Sequence, residues 1–195
     1  MITDTQFSDA ANTLNCDVAA IKAVNEVESR GSGFLNNGKP KILFEGHIFW
    51  KQLIAKNIDP TSIRAGNEDI LYPSWKKELV TPFYNLDQYQ RLEKAKKINV
   101  DAANASASWG AFQIMGFNFK ACGFNSVADF VAAQNSEFSQ LQCFCNYIKK
   151  YNLNVHLQHQ DWAGFARAYN GPDYIKNAYD KKLQKAFEKF MASKT

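Results

Sequence analysis

The chain is poor in the residues that hold metals. It has three histidines, His47, His156 and His159, and four cysteines, Cys16, Cys122, Cys143 and Cys145. His156 and His159 stand three apart, but no HExxH run or equivalent cluster surrounds them. A zinc peptidase or amidase needs such a cluster. No CxxC occurs, and Cys143 and Cys145 fall two apart in a predicted helix, where they diverge. That spacing suits neither a metal clamp nor a disulfide, so free buried thiols in a reducing compartment are the expected state. Cys122, before Gly123, is conceivable as a thiol nucleophile, yet nothing in the sequence orients a base toward it. The expectation is a chain that uses no metal and no cofactor.

Long apolar runs are missing too. None approaches the ~20 residues that span a bilayer, so stable membrane insertion is not expected. The opening Met-Ile-Thr-Asp-Thr-Gln has neither the basic nor the apolar region of a secretory signal. No repeat, low-complexity stretch or Pro/Gly/Ser linker divides the chain, so residues 1–195 read as one domain. Positive charge is in mild excess, with a net charge of +4 and a pI of about 8.8. This favours approach to a polyanion, but no arginine-rich run points to nucleic acid.

What is present is aromatic and helical. The chain is 46% apolar, with 15 Phe, 8 Tyr and 4 Trp, enough for a sizeable core without staples. The pattern predicts helices from about Thr5 to Leu14 and from Val18 to about Ser29, the second capped by Asp17 and stopped by Gly31 and Gly33. Asn37-Gly38, flanked by Phe34, Leu35, Ile42, Leu43 and Phe44, predicts a hairpin. Helix resumes from His47 to Ala55. Residues 58 to 84 are turn-rich, with breaks at Pro60, Pro73 and Pro82. Asn85 is read as the cap of a polar helix ending near Ile98. Residues 100 to 120 read as helical, interrupted at Trp109-Gly110. Ser126 caps a short helix before a longer one to about Tyr151, and the last two run from His159 to Tyr169 and Asp173 to Met191. The class implied is α+β, predominantly helical, with a small hairpin.

On a helical wheel, Val18, Ala20, Ile21, Val24 and Val27 share one half of the second helix. Glu28 falls in the middle of that half, whereas Glu26 falls opposite and forms an expected exposed i,i+4 pair with Lys22. Desolvation and the negative end of the helix dipole both disfavour charge on Glu28 and are expected to raise its pKa. A glycosidase general acid needs that property. The alternative is a structural glutamate paired with Arg30. Glu45 follows the predicted hairpin and is a candidate second carboxylate, placed to position water, stabilise a cationic centre or act as nucleophile. Its alternative is an N-cap or first-turn acid on the helix from Gly46 to Ala55, favourable to the dipole. His47 stands within reach of Glu45 or on the surface.

Three short runs then stand in order: Glu28-Ser29-Arg30-Gly31, Trp109-Gly110-Ala111-Phe112-Gln113-Ile114-Met115-Gly116 and Ala168-Tyr169-Asn170-Gly171. The Glu-Ser, Gly-x-x-Gln-Ile and Tyr-Asn-Gly elements resemble the signatures of goose-type lysozymes and lytic transglycosylases. The stretch from Glu28 to Trp50, with Gly-Ser-Gly-Phe and Ile-Leu-Phe-Glu-Gly-His, is more closely similar to the N-acetylmuramidase family of phage endolysins. The resemblance spans about residues 15 to 190. It implies a lysozyme-like fold and cleavage of the β-1,4 bond between N-acetylmuramic acid and N-acetylglucosamine, with Glu28 as the acid. Gln113, with the backbone around Ile114 and Met115, would line the cleft floor, and Tyr169 and Asn170 would sit near the acid and the sugar N-acetyl group. Plain alternatives are helix-end chemistry for Tyr169 and Asn170 and core packing for Trp109 and Phe112. One departure is Gly-Ala-Phe-Gln-Ile where transglycosylases more often have Gly-Leu-Met-Gln-Ile. It favours the endolysin family but leaves hydrolysis and transglycosylation both open, as well as a non-catalytic glycan-binding module.

The implied partner is the peptidoglycan glycan strand, met by a monomer without a separate wall-binding domain. The last helix carries Ile175, Tyr179, Leu183, Phe187 and Phe190 on one stripe and Lys176, Lys181, Lys182, Lys185 and Lys189 around it. Docking by the apolar stripe is the plain reading; contact of the basic face with anionic wall or outer-membrane polymers is the sharper one. Accumulation in the bacterial cytoplasm and holin-type release to the wall are expected.

Overall fold

Thr3 opens the first helix, α1 (Asp4–Leu14), with a reciprocal capping box to Gln6, and Asn15 ends it in the left-handed region. This computed structural model describes residues 2–29 and 32–193. The helix stop read at Gly31 and the pairing read for Arg30 lie outside the described residues. Asp17 accepts from the Ala19 amide at 2.7 Å and starts α2 (Val18–Ser29). Ala19, Ala20, Ile21, Ala23 and Val24 of α2 are wholly buried, which makes this helix the axis of the core. Small side chains let α1 and the last helix approach it closely. Its charged residues pair with neighbouring helices rather than with each other. Lys22 meets Asp4 and Glu26 meets Lys189, each at 2.7 Å, so the expected Lys22–Glu26 pair does not form.

The remaining helices are α3 (Gly46–Ala55), α4 (Lys77–Tyr84), α5 (Gln88–Lys96), α6 (Val100–Ala105), α7 (Val127–Ala133), α8 (Glu137–Lys150), α9 (Asn154–Gln158), α10 (Trp162–Asn170) and α11 (Tyr179–Ala192). Ser126, Ser136 and Asp161 cap α7, α8 and α10 by accepting backbone N–H bonds. Three short strands, β1 (Ile42–Phe44), β2 (Ala107–Trp109) and β3 (Ile114–Met115), form an antiparallel sheet in that order. Ile42 faces Trp109 and Ser108 faces Met115. The architecture is predominantly helical with a small antiparallel sheet, as the sequence indicates. Among the described residues, no helix is long and apolar enough to cross a membrane.

Several local readings change. The Asn37-Gly38 turn forms, with Gly38 at φ 79° and an isolated bridge between Phe34 and Pro40, but β1 pairs with β2 and not with residues 34–35. The long-range partner wins because β2 offers a buried face, whereas Leu35 is exposed. Residues 107–115 form a hairpin rather than more helix. Gly110 at φ 71° and Gln113 at φ 49° make its reversal. Pro82 lies inside α4 and removes one backbone donor from it, and the Thr81 hydroxyl bonds the Lys77 carbonyl at 2.7 Å. Asn85 ends α4, and Asp87 caps α5 through the Tyr89 and Gln90 amides. A 3-10 turn over Pro172–Asn177 and left-handed Ala178 separate Ile175 from α11, so Ile175 is exposed while Leu183 and Phe187 dock in the core.

All four cysteines are free thiols, three of them buried. Burial pushes Cys16 and Cys145 up to about 12, as it does the Tyr89 phenol. A group with a raised folded pKa keeps its proton while the unfolded chain loses it. Stability from these groups is therefore complete below their ordinary values and declines as pH rises toward their folded ones. The melting temperature is expected to fall between about pH 9 and pH 12. Calorimetric scans across that range check this, and a flat profile would contradict it.

Candidate active-site cleft

A cleft of about 840 Å³ opens between the C-terminal end of α2, the sheet and the end of α10. Glu28, in the last turn of α2, stands half-buried on its wall. The apolar wheel position brings it there: Val24 is fully buried one turn before, so the next residue on that face meets the cleft where the core ends. The Asn170 side-chain amide donates to Glu28 Oε1 at 3.1 Å. Asn170 Oδ1 is buried without a hydrogen-bond partner among the described residues.

Tyr169, one residue earlier on α10, stacks on Phe165 with ring centroids 5.5 Å apart and meets Phe144 and Tyr147 edge-on. Its hydroxyl donates to the Phe112 carbonyl at 2.8 Å. Burial first, and then the charge of Glu28, hold the phenol well above its ordinary pKa, so it remains a neutral donor. The bond ties α10 to the β2–β3 hairpin and fixes the two walls of the cleft relative to each other.

The opposite wall is that hairpin. Gln113 and Met115 both line the cleft. The Gln113 side chain accepts from the Ser108 hydroxyl at 2.8 Å and donates to the Gly110 carbonyl at 2.8 Å. It therefore braces its own reversal while remaining exposed on the floor. Gln140 on α8 supports the hairpin from behind. It is fully buried, accepts from the Ala111 amide at 2.8 Å and donates to the Gln134 carbonyl at 2.7 Å. Gly33 and Gly110 both press against its side chain, and a Cβ on either would collide with it. Gly33 of Gly-Ser-Gly-Phe and Gly110 of Trp-Gly-Ala-Phe thus flank one buried amide.

Glu45 is not among the cleft-lining residues. It occupies the N-cap position of α3 without capping it. Its amide bonds the Ser106 carbonyl at 2.9 Å, extending the β1–β2 ladder by one residue. By strand alternation its side chain follows cleft-lining Leu43 on the same face, roughly 7 Å further along. The Tyr84 hydroxyl lies 2.9 and 3.1 Å from its two oxygens, and His47 Nδ1 lies 3.4 Å away. The half-exposed Trp75 donates its indole N–H to the Tyr84 oxygen at 2.9 Å. His47 is largely enclosed instead of lying on the surface, stacked on Tyr72. Among the described residues, no three His, Cys, Asp or Glu side chains gather closely enough to hold a metal ion.

This cleft and its α2–α10 contact lie within residues 17–191, which the family description Muramidase, N-acetylmuramidase, matches. The chain belongs to the N-acetylmuramidase family. It is a glycosidase-type enzyme that acts on peptidoglycan. The crystal structure of the Burkholderia AP3 phage endolysin superposes with a TM-score of 0.88 at 39% identity, covering 97% of this chain and 71% of that one. No curated protein matches significantly.

Glu28, Gln113, Met115, Tyr169 and Asn170, picked from three runs far apart in sequence, thus meet in one cleft. Gln140, Tyr84 and Tyr147 were not read from the sequence. The two glycines were a usable signal for a close approach by Gln140. Tyr84 and Tyr147 carry no such local mark.

Proposed function

We propose that this family member is an endolysin that hydrolyses the β-1,4 bond between N-acetylmuramic acid and N-acetylglucosamine, with Glu28 as general acid. One observation carries the reading: the Glu28 carboxylate stands at the wall of the large cleft with one oxygen held by Asn170. A general acid must hold a proton and aim it at the leaving oxygen. The Asn170 amide fixes the orientation of the Glu28 carboxyl. Gln113 and Met115 form the floor on which the sugars rest.

Hydrolysis also needs a group to position water. We assign this to Glu45, held by Tyr84 on the face that continues from Leu43. The rival reading, a lytic transglycosylase, needs no such group because the muramic 6-hydroxyl attacks. Digestion of purified peptidoglycan with mass spectrometry of the fragments separates them. Reducing muramic acid ends, lost in Glu45→Gln, are the expected result; anhydro-muramic ends, or full activity of Glu45→Gln, would favour transglycosylation.

Asn170→Ala is expected to lower kcat about 10²-fold with little change in KM, because a small misplacement of a reacting group costs that much. An unchanged kcat in a variant with native melting temperature would remove Asn170 from the mechanism.

A hydrophobic core with members from Ala10 to Phe187 supports the reading of residues 1–195 as one catalytic domain. Cytoplasmic accumulation and holin-type release complete the reading, and it is expected to act as a monomer.

A further inference from the structure

At Tyr179 the cleft adjoins a second groove of about 560 Å³, and Tyr179 lines both. One wall of this groove is α2, at Glu26 and Val27, immediately before Glu28. The other is α11, whose Tyr179, Lys182, Lys185 and Lys189 recur at helical spacing along one side. Three ammonium groups thus face one carboxylate. Lys189 is paired with Glu26 at 2.7 Å. Lys182 lies over the Tyr179 ring at 5.4 Å, and neither it nor Lys185 has a carboxylate partner among the described residues. The groove is therefore cationic, with an apolar floor of Val27 and Ala186.

We propose that this groove is a subsite for the free carboxylates of the peptide stem carried by the muramic sugar, with Lys182 and Lys185 as its contacts. The inference rests on the peptidoglycan reading above and deepens it. The stem leaves the glycan strand from the lactyl group of muramic acid, so it emerges beside whichever muramic residue sits at Glu28. A depression that shares a wall with the cleft and continues along α2 from Glu26 is where such a branch is led. Its chemistry matches: short peptide, several carboxylates, small apolar alanines. Ammonium groups at the rim of a recess attract such carboxylates more than they would on a flat surface, because field lines are focused there.

The test compares intact peptidoglycan with the same glycan strands stripped of their peptides. Wild type is expected to prefer the intact strands. In Lys182→Glu/Lys185→Glu the ratio of kcat/KM between the two substrates should fall about fivefold, the effect of two partly exposed charge pairs, and by less in the double Gln variant. Added salt should erode the wild-type preference in the same direction. An equal loss on both substrates would overturn the proposal, since it signals general charge attraction. So would an unmoved ratio; if lipopolysaccharide binding fell in that case, the groove would belong to the outer-membrane polymer. Failure of the wild type to release glycan fragments from either substrate would overturn the peptidoglycan reading itself, an outcome distinct from failure of the groove.

Discussion

Glu28→Gln is expected to fold normally and to lose about 10³-fold or more in kcat on peptidoglycan, with binding of the glycan little changed. The substitution preserves shape. A glutamine oxygen still accepts from the Asn170 amide, so the contact at 3.1 Å between α2 and α10 survives. What it removes is the transferable proton, and the leaving alkoxide of a glycoside cannot depart readily without one. The measurement is the rate of fragment release, alongside a melting curve and a binding isotherm on the same preparation. Activity above about a tenth of wild type, in a variant that binds and melts normally, would place the acid elsewhere. Loss of binding together with rate would instead make Glu28 a substrate-holding residue. The expected split, kcat lost and affinity kept, identifies the proton donor.

The largest expected effect on stability comes from Arg91 of α5, which is 2% exposed. Its guanidinium donates to the Asp69 carbonyl from Nε at 3.0 Å and from Nη2 at 2.6 Å. Nη1 donates to the Phe44 carbonyl at 2.9 Å and to Gln88 Oε1 at 2.8 Å. The same Gln88 oxygen accepts from the Phe44 amide, and the cation lies 5.3 Å from the Phe44 ring. One side chain thus joins α5, the loop at residue 69 and the end of β1. Arg91→Ala leaves a cavity and two carbonyls without their donor, and is expected to cost about 3–5 kcal/mol, the sum of a large-to-small substitution in the core and the unpaired acceptors. Arg91→Met keeps most of the volume and should cost less, because only the donors are lost. Chemical unfolding measures both. A loss under about 1 kcal/mol for Arg91→Ala would mean that water replaces the guanidinium. Phe44 precedes Glu45, so a milder variant that still folds should also loosen the second carboxylate and lower activity.

Arg91 also shows where reading the chain stops. Gln88-Tyr-Gln-Arg-Leu-Glu-Lys predicts a polar helix, and a helix forms, yet nothing local distinguishes Arg91, which is buried, from Lys94, which bonds Asp69 near the surface. The difference lies in which carbonyls the rest of the chain brings to each. Residues 107–115 are similar. Their composition suits a helix as well as a hairpin, and the choice falls to β1, which pairs with β2 across more than sixty residues of sequence. Long-range pairing overrides local propensity there because the paired strands are buried.

The sequence by itself determined the helical class, most helix positions and the cast of the cleft. Periodicity puts Val24 and Glu28 on one face whatever surrounds the helix, and caps such as Asp17, Ser126 and Asp161 act on amides two or three residues away. Both are short-range effects, written within a turn or two. Only the tertiary structure decided which partners meet. It gave Glu26 to Lys189 instead of Lys22, turned the Glu45 side chain to Tyr84 although the residue stands at the N-cap position of α3, and set Asn170 on Glu28 from far along the chain. Those outcomes depend on how the helices pack around α2, and packing is settled by the sum of contacts that no single segment contains.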